Sequence, residues 1–93
     1  MSGKFSTSTE QRLAGIWAEI IGLDGVDRDE DFFDIGGDSL LATKMVLRAR
    51  REWNIKFTVR QLIEAPVLAE LARYVDQLVT ESSEAQADAV AAG

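Results

Sequence analysis

Ninety-three residues hold at most one domain and a small core. With no His and no Cys, the chain lacks disulfides, thiolate zinc sites, cysteine nucleophiles, the commonest general base and the commonest metal ligand. A formal net charge of −6 argues against nucleic acid as a partner and fits a protein that meets basic protein surfaces.

The N-terminus, Met1-Ser2-Gly3-Lys4-Phe5, lacks the apolar run of a signal peptide, and no stretch approaches the roughly 20 apolar residues that span a bilayer. A cytoplasmic protein without membrane contact is expected, with residues 1–8 flexible. The first periodic segment is Glu10 to Ile21. Leu13, Ile16, Trp17, Ile20 and Ile21 form the apolar stripe of a surface helix. Thr7 and Glu10 have the spacing of a capping box. Gly22 suits the left-handed residue that ends a helix, and Leu23 is placed to fold back on the last turn.

Asp24 to Asp38 is a long acidic connection, and loops of this length are often functional. Val26, Phe32, Phe33 and Ile35 are expected to pin it to the core; the phenylalanines read as packing rather than as a ligand box. Its acids invite a calcium loop starting at Asp27. Position six would then be Gly and position twelve Glu, but the chain has Phe32 and Asp38 there. The acids therefore read as a solvated loop.

A second helix is expected from about Ser39 to about Trp53, with Asp38 as N-cap. At about 100° per residue, Ala42, Met45, Val46, Ala49 and Trp53 gather on a core face. Leu40, Thr43 and Leu47 gather on another, beside Lys44 and Arg51. This second stripe is either a docking surface or a sign that the helix is buried on two sides. Asn54 to Phe57 is a turn. Thr58 with Gln61 repeats the capping-box spacing and opens a short helix, Val59 to about Ala65, with Leu62 and Ile63 expected inside. Pro66 limits that helix and can open the next. The last helix should run to about Val79, with Leu68, Leu71, Ala72, Val75, Leu78 and Val79 inward. Residues 80–93 carry almost no large apolar side chain and are expected to be a disordered acidic and Ala-rich tail. The fold is then all-α: a small four-helix bundle of three longer helices and one short one, with a long loop between the first two, folded over 9–79. No strand pattern or internal repeat is present.

Asp34-Ile35-Gly36-Gly37-Asp38-Ser39-Leu40-Leu41 is a glycine-rich turn that delivers one serine to the first turn of a helix. Gly37-Asp38-Ser39-Leu40 spells the block that names one lipase and esterase family. A serine nucleophile needs an adjacent base, usually His, and this chain has none; it also lacks the length for an α/β sheet and pocket. A plain interaction module is a second class, with Ser39 an ordinary helix-start residue. The third class is a carrier. Asp31-Phe32-Phe33-Asp34-Ile35-Gly36-Gly37-Asp38-Ser39-Leu40-Leu41-Ala42 closely resembles the attachment motif of peptidyl carrier proteins, the thiolation domains of non-ribosomal peptide synthesis within the acyl carrier protein-like family. Leu13 to Leu23 is similar to that family's first helix and its Gly-Leu exit. Phe57 to Leu71, with Leu62, Glu64, Ala65-Pro66 and Leu71, is similar to its third- and fourth-helix segment. The likeness covers roughly residues 10–79. Val67 departs from it, standing where the family often has Thr.

The resemblance implies a non-catalytic protein. A phosphopantetheinyl transferase would move 4′-phosphopantetheine from coenzyme A onto the Ser39 hydroxyl, and the thiol of that arm would hold an aminoacyl or peptidyl group as a thioester. An anionic phosphodiester suits a helix N-terminus. Gly36 and Gly37 would permit a tight backbone and keep bulky side chains away from the transferase. Asp38 would either cap the helix or help position the hydroxyl or a transferase-bound metal. Leu40, Thr43 and Leu47 would meet partner enzymes, with Lys44 and Arg51 tuning which partner is accepted. The expected partners are the transferase, an adenylation enzyme, and condensation, tailoring or thioesterase enzymes. The chain is expected to be a monomer, with a free-standing carrier favoured and a domain cut from a larger synthetase the alternative. Its cargo is not written in the sequence.

Overall fold

The computed structural model describes the backbone of residues 5–92 and the side chains of residues 5–82. Among the described residues four helices form: α1 (Ser8–Ile21), α2 (Ser39–Trp53), α3 (Val59–Glu64) and α4 (Leu68–Ala92). Helix α1 packs against α2 and α4, and α3 packs against α2. The core is built from the predicted stripes. Leu13, Ile16 and Trp17 meet Ala42, Met45, Val46 and Ala49, with Leu62, Leu68, Leu71, Ala72 and Val75 closing the other side. Each large side chain buried this way contributes about 1.5–3 kcal/mol. No described helix is long and apolar enough to cross a membrane.

The start of α1 uses its predicted signal in a modified form. Thr7 accepts from the Glu10 N–H at 3.1 Å. The Glu10 carboxylate does not return to Thr7; it accepts from the Ser6 N–H at 2.8 Å and takes both arms of the Arg28 guanidinium at 2.9 Å each. Phe5 packs against the core and Ser6 and Thr7 build the cap, so the flexible segment expected over 1–8 does not extend to Phe5. Its remaining part, residues 1–4, lies outside the described residues. Gly22 ends α1 at φ 90°, and the N–H groups of Gly22 and Leu23 both donate to the Ala18 carbonyl at 2.8 Å.

The long loop is stitched to the start of α4. Asp31 and Val67 form an isolated antiparallel bridge, with Phe32 N–H donating to Pro66 O at 2.9 Å. Leu68 and Ala69 donate to the carbonyls of Glu30 and Arg28 at 3.0 and 2.9 Å. Those are orphan donors of a helix start, which a Thr at position 67 would otherwise help to cap. The loop backbone does that work, so Val67 leaves α4 supported.

Two expectations change at the far side of the molecule. Leu62 is fully buried, but Ile63 is 58% exposed, because a helix of six residues seats one anchor rather than two. Helix α4 does not stop near Val79; it continues to Ala92. Residues 80–92 carry no Gly or Pro and are rich in Ala, the best helix former, with Glu81, Glu84 and Gln86 also favourable. Their lack of large apolar residues removes a reason for burial, not the propensity for helix. The Thr58 and Gln61 capping box is present in full, and the Gln61 side chain also donates to the Tyr74 hydroxyl at 2.7 Å, fastening α3 to α4.

Candidate functional site

Ser39 is the first residue of α2 and lies exposed to solvent. Asp38 precedes it in an extended conformation, φ −136° and ψ −174°, as an N-cap. Its carboxylate accepts from the Leu41 N–H at 2.9 Å, and its carbonyl accepts from the Ala42 N–H at 2.7 Å. The third and fourth donors of the helix are thereby used. The N–H groups of Ser39 and Leu40 are left facing outward at the positive end of the helix dipole. The capping role weighed for Asp38 is thus realised in the geometry.

The turn before Asp38 explains its glycines. Gly36 has φ +119°, a backbone region that side chains disfavour, and a Cβ there would come to 3.2 Å from the Ile21 side chain. Gly37 is tighter: a Cβ would lie 2.4 Å from two ring carbons of Phe32 and 2.6 Å from its carbonyl oxygen. Its N–H donates to that same carbonyl at 2.9 Å. The turn therefore sits directly on the Phe32 ring. Phe32 is fully buried and meets Trp17 edge-on, with ring centroids 5.0 Å apart. Phe33 meets Phe32 at 5.3 Å but is 37% exposed, so only one of the pair belongs to the core. Asp31 closes the preceding turn by accepting from the Phe33 and Asp34 N–H groups at 2.8 and 3.2 Å. The serine is held at a fixed height by a chain of contacts running Trp17, Phe32, Gly37, Asp38.

The second stripe of α2 faces solvent. Leu40 is 65% exposed and Leu47 is 50% exposed, and Thr43, Lys44 and Arg51 are exposed with them. Burial on two sides is thereby excluded for this helix. Thr43 folds its hydroxyl back to the Ser39 carbonyl at 3.1 Å. The structure adds Arg48, which the sequence pattern did not single out, and Ile20, read there only as part of the α1 stripe; both join Lys44, Leu47 and Arg51 around a shallow groove. Among the described residues no group of three or more acidic side chains gathers in a way that could hold a metal ion.

The loop that carries the site is locked at its base by Glu10, which is 4% exposed. The hydrogen-bonded Arg28 guanidinium holds the Glu10 carboxyl below its ordinary range, overcoming burial, which pushes the other way.

Residues 11–75 match the family model described as phosphopantetheine attachment site. Malpinin synthetase of Mortierella alpina is 49% identical over 63 residues, which are 68% of this chain and 1% of that protein. Phosphinothricin tripeptide synthetase PhsB of Streptomyces viridochromogenes is 40% identical over 92 residues, 91% of this chain and 8% of that protein. The chain therefore spans a small fraction of the length of these relatives. A solved non-ribosomal PCP domain is 39% identical, covering 77% of this chain and 92% of its own, with a TM-score of 0.69. A chain from the complex of the phosphopantetheine transferase Sfp with coenzyme A and a peptidyl carrier protein is 29% identical, covering 82% and 99%, with a TM-score of 0.77.

Proposed function

Because the chain belongs to the phosphopantetheine attachment-site family, we propose that the Ser39 hydroxyl is its attachment point and that the molecule is a peptidyl carrier. The observation that carries this reading is the exposed hydroxyl on the first residue of α2, with two free backbone donors beside it. A serine so placed fits the group. Its hydroxyl is open to a transferase, and the phosphodiester it becomes is an anion at a helix N-terminus.

In the reaction, the Ser39 oxygen forms a bond to the phosphorus of coenzyme A that bears pantetheine. The bond to the nucleotide phosphate breaks, the nucleotide leaves, and the hydroxyl proton passes to a base of the transferase. When bound, the group supplies a thiol that holds an aminoacyl or peptidyl unit as a thioester. The chain contributes position rather than chemistry. Asp38 starts the helix beside the serine, Gly36 and Gly37 let the turn lie on Phe32, and Phe32 with Trp17 fixes the height of the site. Tethering then makes each later transfer effectively intramolecular.

The exposed stripe of Leu40, Thr43 and Leu47, with Lys44 and Arg51 at its rim, serves as the docking face. Its partners are a phosphopantetheinyl transferase, an adenylation enzyme, and condensation, tailoring or thioesterase enzymes of the cytoplasm. Residues 9–79 are the carrier unit. Incubation with a fluorescent coenzyme A analogue and a broad-specificity transferase tests the attachment. The natural chain takes up label, and Ser39→Ala takes up none while keeping the same helical circular dichroism. Label retained by Ser39→Ala would overturn the assignment.

A further inference from the structure

The groove at the far end of the α2 stripe has a chemistry of its own. It is lined by Ile20, Lys44, Leu47, Arg48 and Arg51. Leu47 forms its apolar floor and is half exposed. Lys44, Leu47, Arg48 and Arg51 follow one another at i, i+3, i+4 and i+7, so one helix face carries them all. Arg48 is paired with Glu19 at 2.8 Å. Lys44 and Arg51 make no ion pair among the described residues. Two uncompensated cations thus flank an exposed leucine in a chain whose net charge is −6. Acids are frequent in the loop from Asp24 to Asp38 that leads to Ser39, whereas the lining of this groove holds none.

We propose that this groove receives a protein segment carrying one apolar side chain flanked by carboxylates, the apolar group seating on Leu47 and Ile20 and the carboxylates facing Lys44 and Arg51. The inference rests on the carrier reading for its purpose, since it gives the docking face a definite partner chemistry. Partner groups near Lys44 and Arg51 gain from negative charge, so an acidic partner segment is favoured as it arrives and a basic one is disfavoured. Two cations are too few for a polyanion such as nucleic acid, which the net charge repels.

The test uses the loaded, isotope-labelled chain and two synthetic helical peptides. Each has a single leucine, flanked by glutamates in one and by lysines in the other. Amide shifts are followed by NMR during titration. The glutamate peptide should shift Ile20, Lys44, Leu47 and Arg51, with an affinity falling at least about fivefold between low and moderate salt. The double variant Lys44→Glu with Arg51→Glu, checked as folded by circular dichroism, should lose this response and gain one to the lysine peptide. Equal response to both peptides would reduce the site to a plain apolar groove. Shifts elsewhere, or none, would overturn the proposal, as would shifts produced only by vesicles of anionic lipid. Labelling of Ser39 does not depend on these peptides, so failure here leaves the attachment assignment standing, and failure of labelling is seen separately.

Discussion

At Gly37 the demands of packing and of function meet in one atom. A methyl group there would overlap the Phe32 ring and its carbonyl, and neither can retreat, because Phe32 is wedged against Trp17 in the core. Gly37→Ala should therefore cost about 1–3 kcal/mol in denaturant unfolding, the usual range for overpacking, and should slow labelling of Ser39 by shifting the turn. A stability unchanged from wild type would show that the turn does not rest on the ring. Leu47 is the opposite case. Half exposed and outside the core, it should tolerate Leu47→Asp within about 0.5 kcal/mol, while acyl transfer by partner enzymes falls. A variant that unfolds instead would return Leu47 to the core. The two residues also differ in legibility. A double glycine before a helix announces a tight turn, but nothing in the pattern says that Phe32 is what the second glycine touches. Leu47 was visible from its place on the wheel, though its exposure was not, since a wheel does not say which side is covered.

Among the elements, the long loop is where sequence patterns said least. Its acids and phenylalanines were plain, yet its tie to α4 depends on backbone groups that carry no sequence signature, the carbonyls of Arg28 and Glu30. The other tie is the Glu10–Arg28 pair, eighteen positions apart. The Thr7 and Glu10 spacing pointed to a local cap, and the capping threonine is there, but the glutamate accepts from the Ser6 N–H and the Arg28 guanidinium rather than from the Thr7 N–H. This pair makes a pH prediction. The Glu10 carboxyl is held below its ordinary value of 4.5 mainly by its hydrogen bonds to Arg28. A depressed carboxylate stabilises the fold above its unfolded value, and that contribution is lost as pH falls through the lowered one. Glu10→Gln should thus unfold more easily than wild type at neutral pH. The difference should be about 1.5 kcal/mol, at the lower end for charged hydrogen bonds because Arg28 is 42% exposed. The gap should close on acidification below the lowered value, as seen by denaturant titration at a series of pH values; a gap independent of pH would assign the loss to packing alone. The helices themselves were legible because period and caps agree, as at Thr58 and Gln61. Ile63 and the end of α4 were not. A six-residue helix shows too little period to choose its buried face, and helix propensity in residues 80–92 persists where hydrophobic patterning stops.

Over the whole molecule, the last fully buried side chain among the described residues is Val75, and the family match ends at the same residue. Ending the chain after Ser82 should therefore lower the helical circular dichroism signal in proportion to the residues removed. The unfolding midpoint should stay within about 2 °C, since the residues removed lie beyond the family match and hold Val90 as their one branched apolar residue. A large fall in midpoint would mean that the distal part of α4 packs on the bundle. All of this rests on Ser39 being the point of attachment. The most direct measurement is intact-protein mass after incubation with coenzyme A and a broad-specificity phosphopantetheinyl transferase, followed by peptide mapping. One added phosphopantetheine, on the peptide containing Ser39, is the predicted result. A folded chain whose mass does not change, or an addition mapped to another peptide, would contradict the account.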